Sequence, residues 1–262
     1  MVQSSLPLLV IQGRIDPAPD DESTHLSPPA QVSNLALPDR WEKVTNIRFA
    51  RAAAPGRPYD GGVNGGGGTR TWAGLRSGLD ADPAVEPPAD GSRLAGVLLP
   101  ILDGPIPSLV FTKRAEALSR HRGEISFPGG LEHPGDGTLR ATALRETEEE
   151  LGLPPSAVDV LGALEPVHTF VSRILIVPFV GLLSERPAWV PHPGEIAEVL
   201  EVPLARLIEV EAEQRHEHEG GVWHGFVYAV DGHTIWGATG WILHAFLDLV
   251  RTAAPWAATS LG

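Results

Sequence analysis

A glycine pair and an acidic helical turn at a set separation constrain this chain more than any other feature. The run Gly129-Gly130-Leu131-Glu132-His133-Pro134-Gly135-Asp136 is followed nine residues later by Arg145-Glu146-Thr147-Glu148-Glu149-Glu150-Leu151-Gly152-Leu153. Glu146, Glu149 and Glu150 stand at helical offsets of three and four, so their carboxylates converge on one side of a single turn. Three convergent carboxylates suit a hard cation. Oxygen-only ligation points to Mg²⁺ or Mn²⁺, and Mg²⁺ keeps several waters and binds through a few carboxylates plus substrate phosphates. Thr138 is placed to cap the helix, and Gly152 with Pro154-Pro155 to stop it. Leu144, Thr147 and Leu151 form a separate stripe, so one face packs and the other looks into a cleft.

Around this unit the pattern is mixed. Trp72, Leu75 and Leu79 have helical spacing. Leu94 to Leu102 and Ser108 to Thr112 read as strands joined at Asp103-Gly104-Pro105, and Val158 to Leu164 and Ile174 to Leu182 as two more. Pro203 to Val210 reads as a short helix or strand, and Val222 to Val230 with His233 to Trp236 as a hairpin. Ala238 to Val250 then reads as a closing helix. Strands and helices that do not alternate regularly favour α+β over a doubly wound sheet. The first seventy residues differ: Asp16 to Pro29 and Ala52 to Gly68 are rich in Pro, Asp, Ser and Gly, and are expected to be disordered or loosely packed, with a short strand at Leu8 to Ile11 as the alternative.

Composition excludes several classes. No apolar run approaches the roughly 18 residues that span a bilayer, so no membrane role is expected. The start has no basic leader or small-residue cleavage site and does not read as a secretory signal. The chain has no cysteine, which rules out thiolate catalysis and fits a cytoplasmic protein. A net charge of −13 argues against non-specific nucleic-acid binding, which needs clustered Lys and Arg. An acidic protein that handles a phosphate ester needs a bridging cation, and the three glutamates are the ligands for one.

These residues resemble the box of the Nudix hydrolases, in which a Gly, five residues, a Glu, seven residues, Arg-Glu, an aliphatic, any residue, Glu-Glu, any residue, Gly and an aliphatic follow in order. Arg145 to Leu153 matches, with Thr147 at the aliphatic position. Gly130 and Asp136 keep the five-residue gap, and one extra residue lies between Asp136 and Arg145. The subfamily similar to coenzyme A diphosphatases shares that longer spacing. It also has a lead-in like Leu118-Ser119-Arg120-His121-Arg122-Gly123-Glu124-Ile125-Ser126-Phe127-Pro128-Gly129-Gly130. Pro193 to Val199 with Val202-Pro203-Leu204, and Ile235 to Thr239, resemble the loop and strand after the box and the start of the closing helix. Ser119 stands where the subfamily has Arg, and His133 where it has an acid.

The resemblance implies a Nudix-type α/β/α sandwich with a mixed β-sheet over residues 71–255, after an extension of residues 1–70 and before a tail of residues 256–262. It also implies metal-dependent hydrolysis of a diphosphate in a small molecule, most closely coenzyme A or an acyl-CoA, with room for a homodimer. Glu146 and Glu150 would ligate Mg²⁺ or Mn²⁺, with the Gly130 carbonyl a third ligand. Glu149 would hold a second metal or orient the water, and the general base would be Glu149, Glu195 or Glu198. Gly129 and Gly130 let backbone approach metal and phosphate, because no Cβ intervenes. Arg145 lies about 100° of helix rotation from Glu146 and is given an orienting salt bridge to Asp136. Arg114, Arg120 and His121 would meet phosphates.

Blander readings stand beside these. The glutamates alone could be a solvated helix face. His121 could be a structural histidine. The tract His216-Glu217-His218-Glu219 reads as an exposed hairpin loop rather than a metal cluster, and Trp236 and Trp241 read as core. Another Nudix substrate (ADP-ribose, NADH or a nucleoside triphosphate) or a silent nucleotide-sensing module are the competing functions.

Overall fold

The computed structural model describes residues 47–49, 71–81, 83–115, 123–169, 172–218 and 221–259. The strand expected at Leu8 to Ile11, the two low-complexity stretches, Arg120 and His121 lie outside these residues. In chain order the elements are β1 (Ile47–Phe49), α1 (Ala73–Gly78), β2 (Arg93–Leu102), β3 (Ser108–Arg114), β4 (Ile125–Ser126), β5 (Gly129–Leu131), α2 (Leu139–Leu151), β6 (Asp159–Ala163), β7 (Val167–Thr169) and β8 (Ile174–Leu183). There follow β9 (Ile196–Pro203), α3 (Leu204–Val210), β10 (Glu211–His218), β11 (Gly221–Val230), β12 (His233–Ile235) and α4 (Gly237–Ala253).

Among the described residues, nine strands form one mixed sheet, with the path β1-β7-β8-β2-β3-β4, while β5 pairs with β2, β6 with β8 and β9 with β3. β2 and β8 run parallel from Arg93↔Ile174 to Leu102↔Leu183, and the other pairings are antiparallel. Near-continuous apolar composition suits β2, because a central strand is covered on both faces. Its alternation assigns the faces. Leu99 and Ile101 join the cluster under α4 with Leu109, Phe111, Ile242 and Phe246, whereas Leu94 and Leu98 join the one under α2 with Leu139, Ala143 and Phe179. The result is a helix layer on each side of a mixed sheet.

The short segments resolve as follows. Pro203 to Val210 is helical from Leu204. The β11–β12 hairpin turns at Asp231 and Gly232 with φ of 49° and 82°, the left-handed pair that a tight two-residue hairpin needs. The tract at His216 is corrected. Its backbone continues β10, with His216, Glu217 and His218 opposite Trp223, Val222 and Gly221, because the antiparallel ladder runs on to the glycine. Trp241 packs against the main core. β1, which falls in the stretch read as an extension, pairs with β7 through Ile47↔Thr169. Beyond α4, a turn of 3₁₀ helix at Pro255–Ala258 buries Ala257 in that core.

α2 is closed at both ends by its own sequence. The Thr138 hydroxyl accepts the Ala141 N–H at 3.1 Å, and Gly152, at φ 68°, donates its N–H to the Glu148 carbonyl at 2.8 Å. Thr138→Ala is expected to cost about 1 kcal/mol, read as a shift in chemical denaturation midpoint with unchanged slope.

Candidate active site

The site is built where α2 crosses β2 and β5. Gly96 of β2 faces the helix so closely that a Cβ there would lie 2.2 Å from the Leu139 carbonyl oxygen and 3.0 Å from the Ala143 nitrogen. Beside it, Gly130 pairs with Gly96, and Gly129 with Val97. A Cβ on Gly130 would stand 2.5 Å from the Glu146 Cδ and 2.6 and 2.7 Å from its two oxygens, so the carboxylate occupies the room that glycine leaves. Gly129, at φ 149°, would clash with the Gly96 carbonyl at 2.4 Å. Successive glycines thus bring helix, strand and carboxylate to backbone contact.

Arg145 organises the acidic turn. Its Nε donates to Asp136 Oδ1 at 2.8 Å and its Nη2 to Oδ2 at 3.1 Å, a two-pronged pair. The same guanidinium reaches Glu146 Oε1 at 2.9 Å, Glu149 Oε2 at 3.1 Å and the Leu131 carbonyl at 3.3 Å. Asp136 also accepts the Thr142 hydroxyl at 2.8 Å and the His133 N–H at 2.9 Å. Arg145 and these donors hold the Asp136 carboxyl well below the usual carboxylate range, and Asp136 in turn raises Arg145. The extra residue before Arg145 therefore leaves the Asp136 contact intact. Thr147, at the aliphatic position, is buried and donates its hydroxyl to the Ala143 carbonyl at 2.6 Å, so no polar atom is stranded.

The other glutamates differ in environment. Glu150 is 4% exposed, accepts a long hydrogen bond from the Gly129 N–H at 3.4 Å, and has Arg114 Nη1 at 3.9 Å. Burial pushes its carboxyl up to about 8, Arg114 and Gly129 opposing and the charges of Glu146 and Glu195 adding. Arg114 Nε is buried without a hydrogen-bond partner among the described residues. The Glu149 side chain is 59% exposed and meets only Arg145 among the described residues.

Glu195 arrives on the connection from β8 to β9. The N–H groups of Val190 and His192 donate to the carbonyls of Leu151 and Glu150, both at 2.9 Å, satisfying acceptors that the last turn of a helix leaves open. The His192 carbonyl takes the N–H of Glu195 at 3.0 Å and of Ile196 at 2.9 Å, and the Glu195 carbonyl takes that of Ala115, next to Arg114, at 2.8 Å. Glu198 is engaged elsewhere, with Lys113 at 3.9 Å and His233 at 3.6 Å.

The structure thus brings together Gly129, Gly130, Asp136, Arg145, Glu146, Glu150 and Arg114, sets the backbone of Glu195 beside Ala115 with its side chain half-exposed, and leaves Glu149 at the solvent edge. Gly96 and the connection through Trp189 were not singled out in the sequence. The prolines at 187, 191 and 193 around Trp189 were the available sign of a stiffened segment rather than a loose loop.

The NUDIX domain model matches residues 92–222. A protein named "Uncharacterized Nudix hydrolase NudL" from Photorhabdus laumondii is 36% identical over 175 residues, which cover 66% of this chain and 93% of that protein. One of the same name from Yersinia enterocolitica is 38% identical over 162 residues, 61% of this chain and 83% of that one. Among solved structures, a Nudix hydrolase from M. smegmatis, RenU, aligns with a TM-score of 0.39 at 20% identity, over 45% of this chain and 74% of that chain.

Proposed function

This chain belongs to the Nudix family and is a hydrolase of that family, and from that premise we propose that it cuts the diphosphate of coenzyme A or an acyl-CoA, giving 3′,5′-ADP and (acyl-)4′-phosphopantetheine. The observation that carries the reading is the carboxylate pair on the glycines: Glu146 fills the space over Gly130, and Glu150 lies buried behind Gly129 with a guanidinium beside it. The coenzyme A assignment is supported by the lead-in Leu118 to Gly130 and the extra residue between Asp136 and Arg145. We place the domain at residues 71–255, which adds α1 and α4 to the matched segment, with β1 of the preceding extension pairing onto its sheet.

Divalent cations generally serve this family, and the donors here fit one. The cradle at Gly130 is oxygen-lined, and a carboxylate as buried as Glu150 calls for a counter-cation closer than Arg114. No three acidic or histidine groups among the described residues stand close enough to grip an ion. A set made of Glu146, Glu150, the Gly130 carbonyl and waters, completed by substrate phosphate, is the composition Mg²⁺ favours, and Mn²⁺ accepts the same donors. When bound, such an ion neutralises charge that builds on the phosphoryl oxygens and acidifies a water.

The chain's own residues do the rest. Arg145, locked by Asp136, holds the Glu146 carboxylate in place. Arg114, whose Nη1 stands 3.9 Å from Glu150 and whose Nε has no hydrogen-bond partner among the described residues, binds a phosphate oxygen. Glu195, which follows the strap residue whose N–H caps the Glu150 carbonyl, accepts the proton of the attacking water. Glu149, 3.1 Å from Arg145, serves a second ion or orients the water. Arg120 and His121 are proposed to contact the phosphates from the lead-in.

The test is product analysis with Mg²⁺ or Mn²⁺ on coenzyme A, ADP-ribose, NADH and dATP. Chelator-sensitive release of 3′,5′-ADP and 4′-phosphopantetheine supports the assignment. Cleavage of another panel member alone keeps the hydrolase and discards coenzyme A, while metal-dependent stabilisation with no cleavage points to a sensing module.

Glu150 also makes cation binding pH-dependent. Its folded carboxyl, at about 8, lies above the ordinary value of 4.5, so the folded state holds this proton more tightly than the unfolded chain. The cation-free protein therefore loses stability as pH rises from 4.5 to about 8, and a ligating carboxylate must shed its proton. Titration calorimetry with Mn²⁺ in buffers of different ionisation enthalpy should show about one proton released at pH 7 and almost none at pH 9. Equal release at both would refute the assignment of Glu150 as ligand.

A further inference from the structure

We propose that Glu201 is a positioning residue for the site, tethering the strap of residues 184–195 through Trp189 and Arg186 and thereby fixing the turn that runs from His192, whose N–H caps the Glu150 carbonyl, into Glu195; this rests on the functional reading above. Glu201 lies in β9 opposite Val110 of β3. Its mostly buried carboxylate takes three donors from the strap. Trp189 Nε1 donates to Oε1 at 2.6 Å, Arg186 Nε to the same oxygen at 3.0 Å, and Arg186 Nη2 stands 2.8 Å from Oε2. Charge-assisted bonds of this kind are roughly twice as strong as neutral ones.

The strap needs such a tether because, among the described residues, no other hydrogen bond or ion pair holds its first half, which otherwise rests on the packing of the Trp189 ring. It has no regular secondary structure, and prolines at 187, 191 and 193 cannot donate to a neighbouring strand. With Trp189 fixed, its ring packs on the cluster of Leu102, Val110, Leu151, Leu183 and Ile196. Val190 then lies directly over Gly152, where an added Cβ would stand 2.9 Å from the Val190 Cβ. From there the chain can cap Leu151 and Glu150 and turn at His192 into Glu195. The glycine that ends α2 is thus also the clearance for the strap.

The experiment compares Glu201→Ala, Glu201→Gln, Glu195→Gln and the Glu195→Gln/Glu201→Ala double variant in the full chain, by steady-state kinetics on coenzyme A with Mn²⁺ and by amide hydrogen exchange. Arg186 is exposed, so freeing it leaves no buried charge. Glu201→Ala should lower kcat roughly tenfold with KM within about twofold, and the double variant should be no slower than Glu195→Gln, since residues acting as one unit are not additive. Amides of residues 190–196 should exchange at least about tenfold faster while those of α2 are unchanged. Glu201→Gln, which keeps an acceptor for Trp189, should recover most of both effects. Multiplicative losses in the double variant, or unchanged exchange in Glu201→Ala, would overturn the proposal. If the wild type cleaves nothing on the panel, the functional reading fails by itself, and exchange alone decides whether Glu201 holds the strap.

Discussion

Glu146→Gln and Glu150→Gln are each expected to cut turnover by roughly a thousandfold, the scale seen when one preorganised charge-stabilising group is removed from an active site. The amide keeps the shape of the carboxylate but loses the charge that holds a divalent cation, so the loss should follow metal affinity. The two variants should part company in stability. Glu146 is tied to Arg145 at 2.9 Å, so its replacement weakens a partly buried ion-pair network. Glu150 is buried, with its carboxyl pushed up to about 8, so above that pH the wild type carries a desolvated charge that Gln does not. Without metal at pH 9, Glu150→Gln should therefore melt at or above the wild type while hydrolysing almost nothing. Near-normal turnover in either variant would remove that residue from the ligand set.

Gly96→Ala is expected to cost about 3 kcal/mol, at the upper end for overpacking a core, and to lower the melting temperature by roughly 6–12 °C. Such a cost is large for one methyl group. It arises because the obstructing atoms, the Leu139 carbonyl oxygen at 2.2 Å and the Ala143 nitrogen at 3.0 Å, are helix backbone and cannot rotate away. α2 must then lift from β2, which carries Glu146 off Gly130. Turnover should fall along with stability, and a melting temperature within a degree or two of wild type would show that the helix does not bear on the strand there. Gly129 and Gly130 answer to the same geometry, one against the Gly96 carbonyl and the other against the Glu146 carboxylate.

Much of this site was legible because its determinants are local. The Thr138 cap, the Gly152 stop and the three- and four-residue spacing of the glutamates all act within one helix, where sequence distance and spatial distance coincide. The strands from Leu94 to Leu102 and from Ile174 to Leu182 were equally plain, as apolar runs bounded by turn residues. Their parallel pairing was not, because register between distant segments is written in no single stretch. The tract at His216 misled for a related reason: a polar stretch reads as a loop, yet a ladder partner makes it a strand.

By itself, the sequence determined the helix that carries Glu146, Glu149 and Glu150, its end points, the charge it presents and the family to which the chain belongs. Only the tertiary structure decided which of these carboxylates is buried, that Glu198 is taken up by Lys113 and His233, and that Gly96 lies against the helix backbone. The physical reason is that desolvation and close approach depend on what other elements bring to the same place. Glu149 and Glu150 are neighbours in the chain, yet one is 59% exposed on its side chain and the other 4% exposed, a difference made by β2, β5 and the strap rather than by either residue.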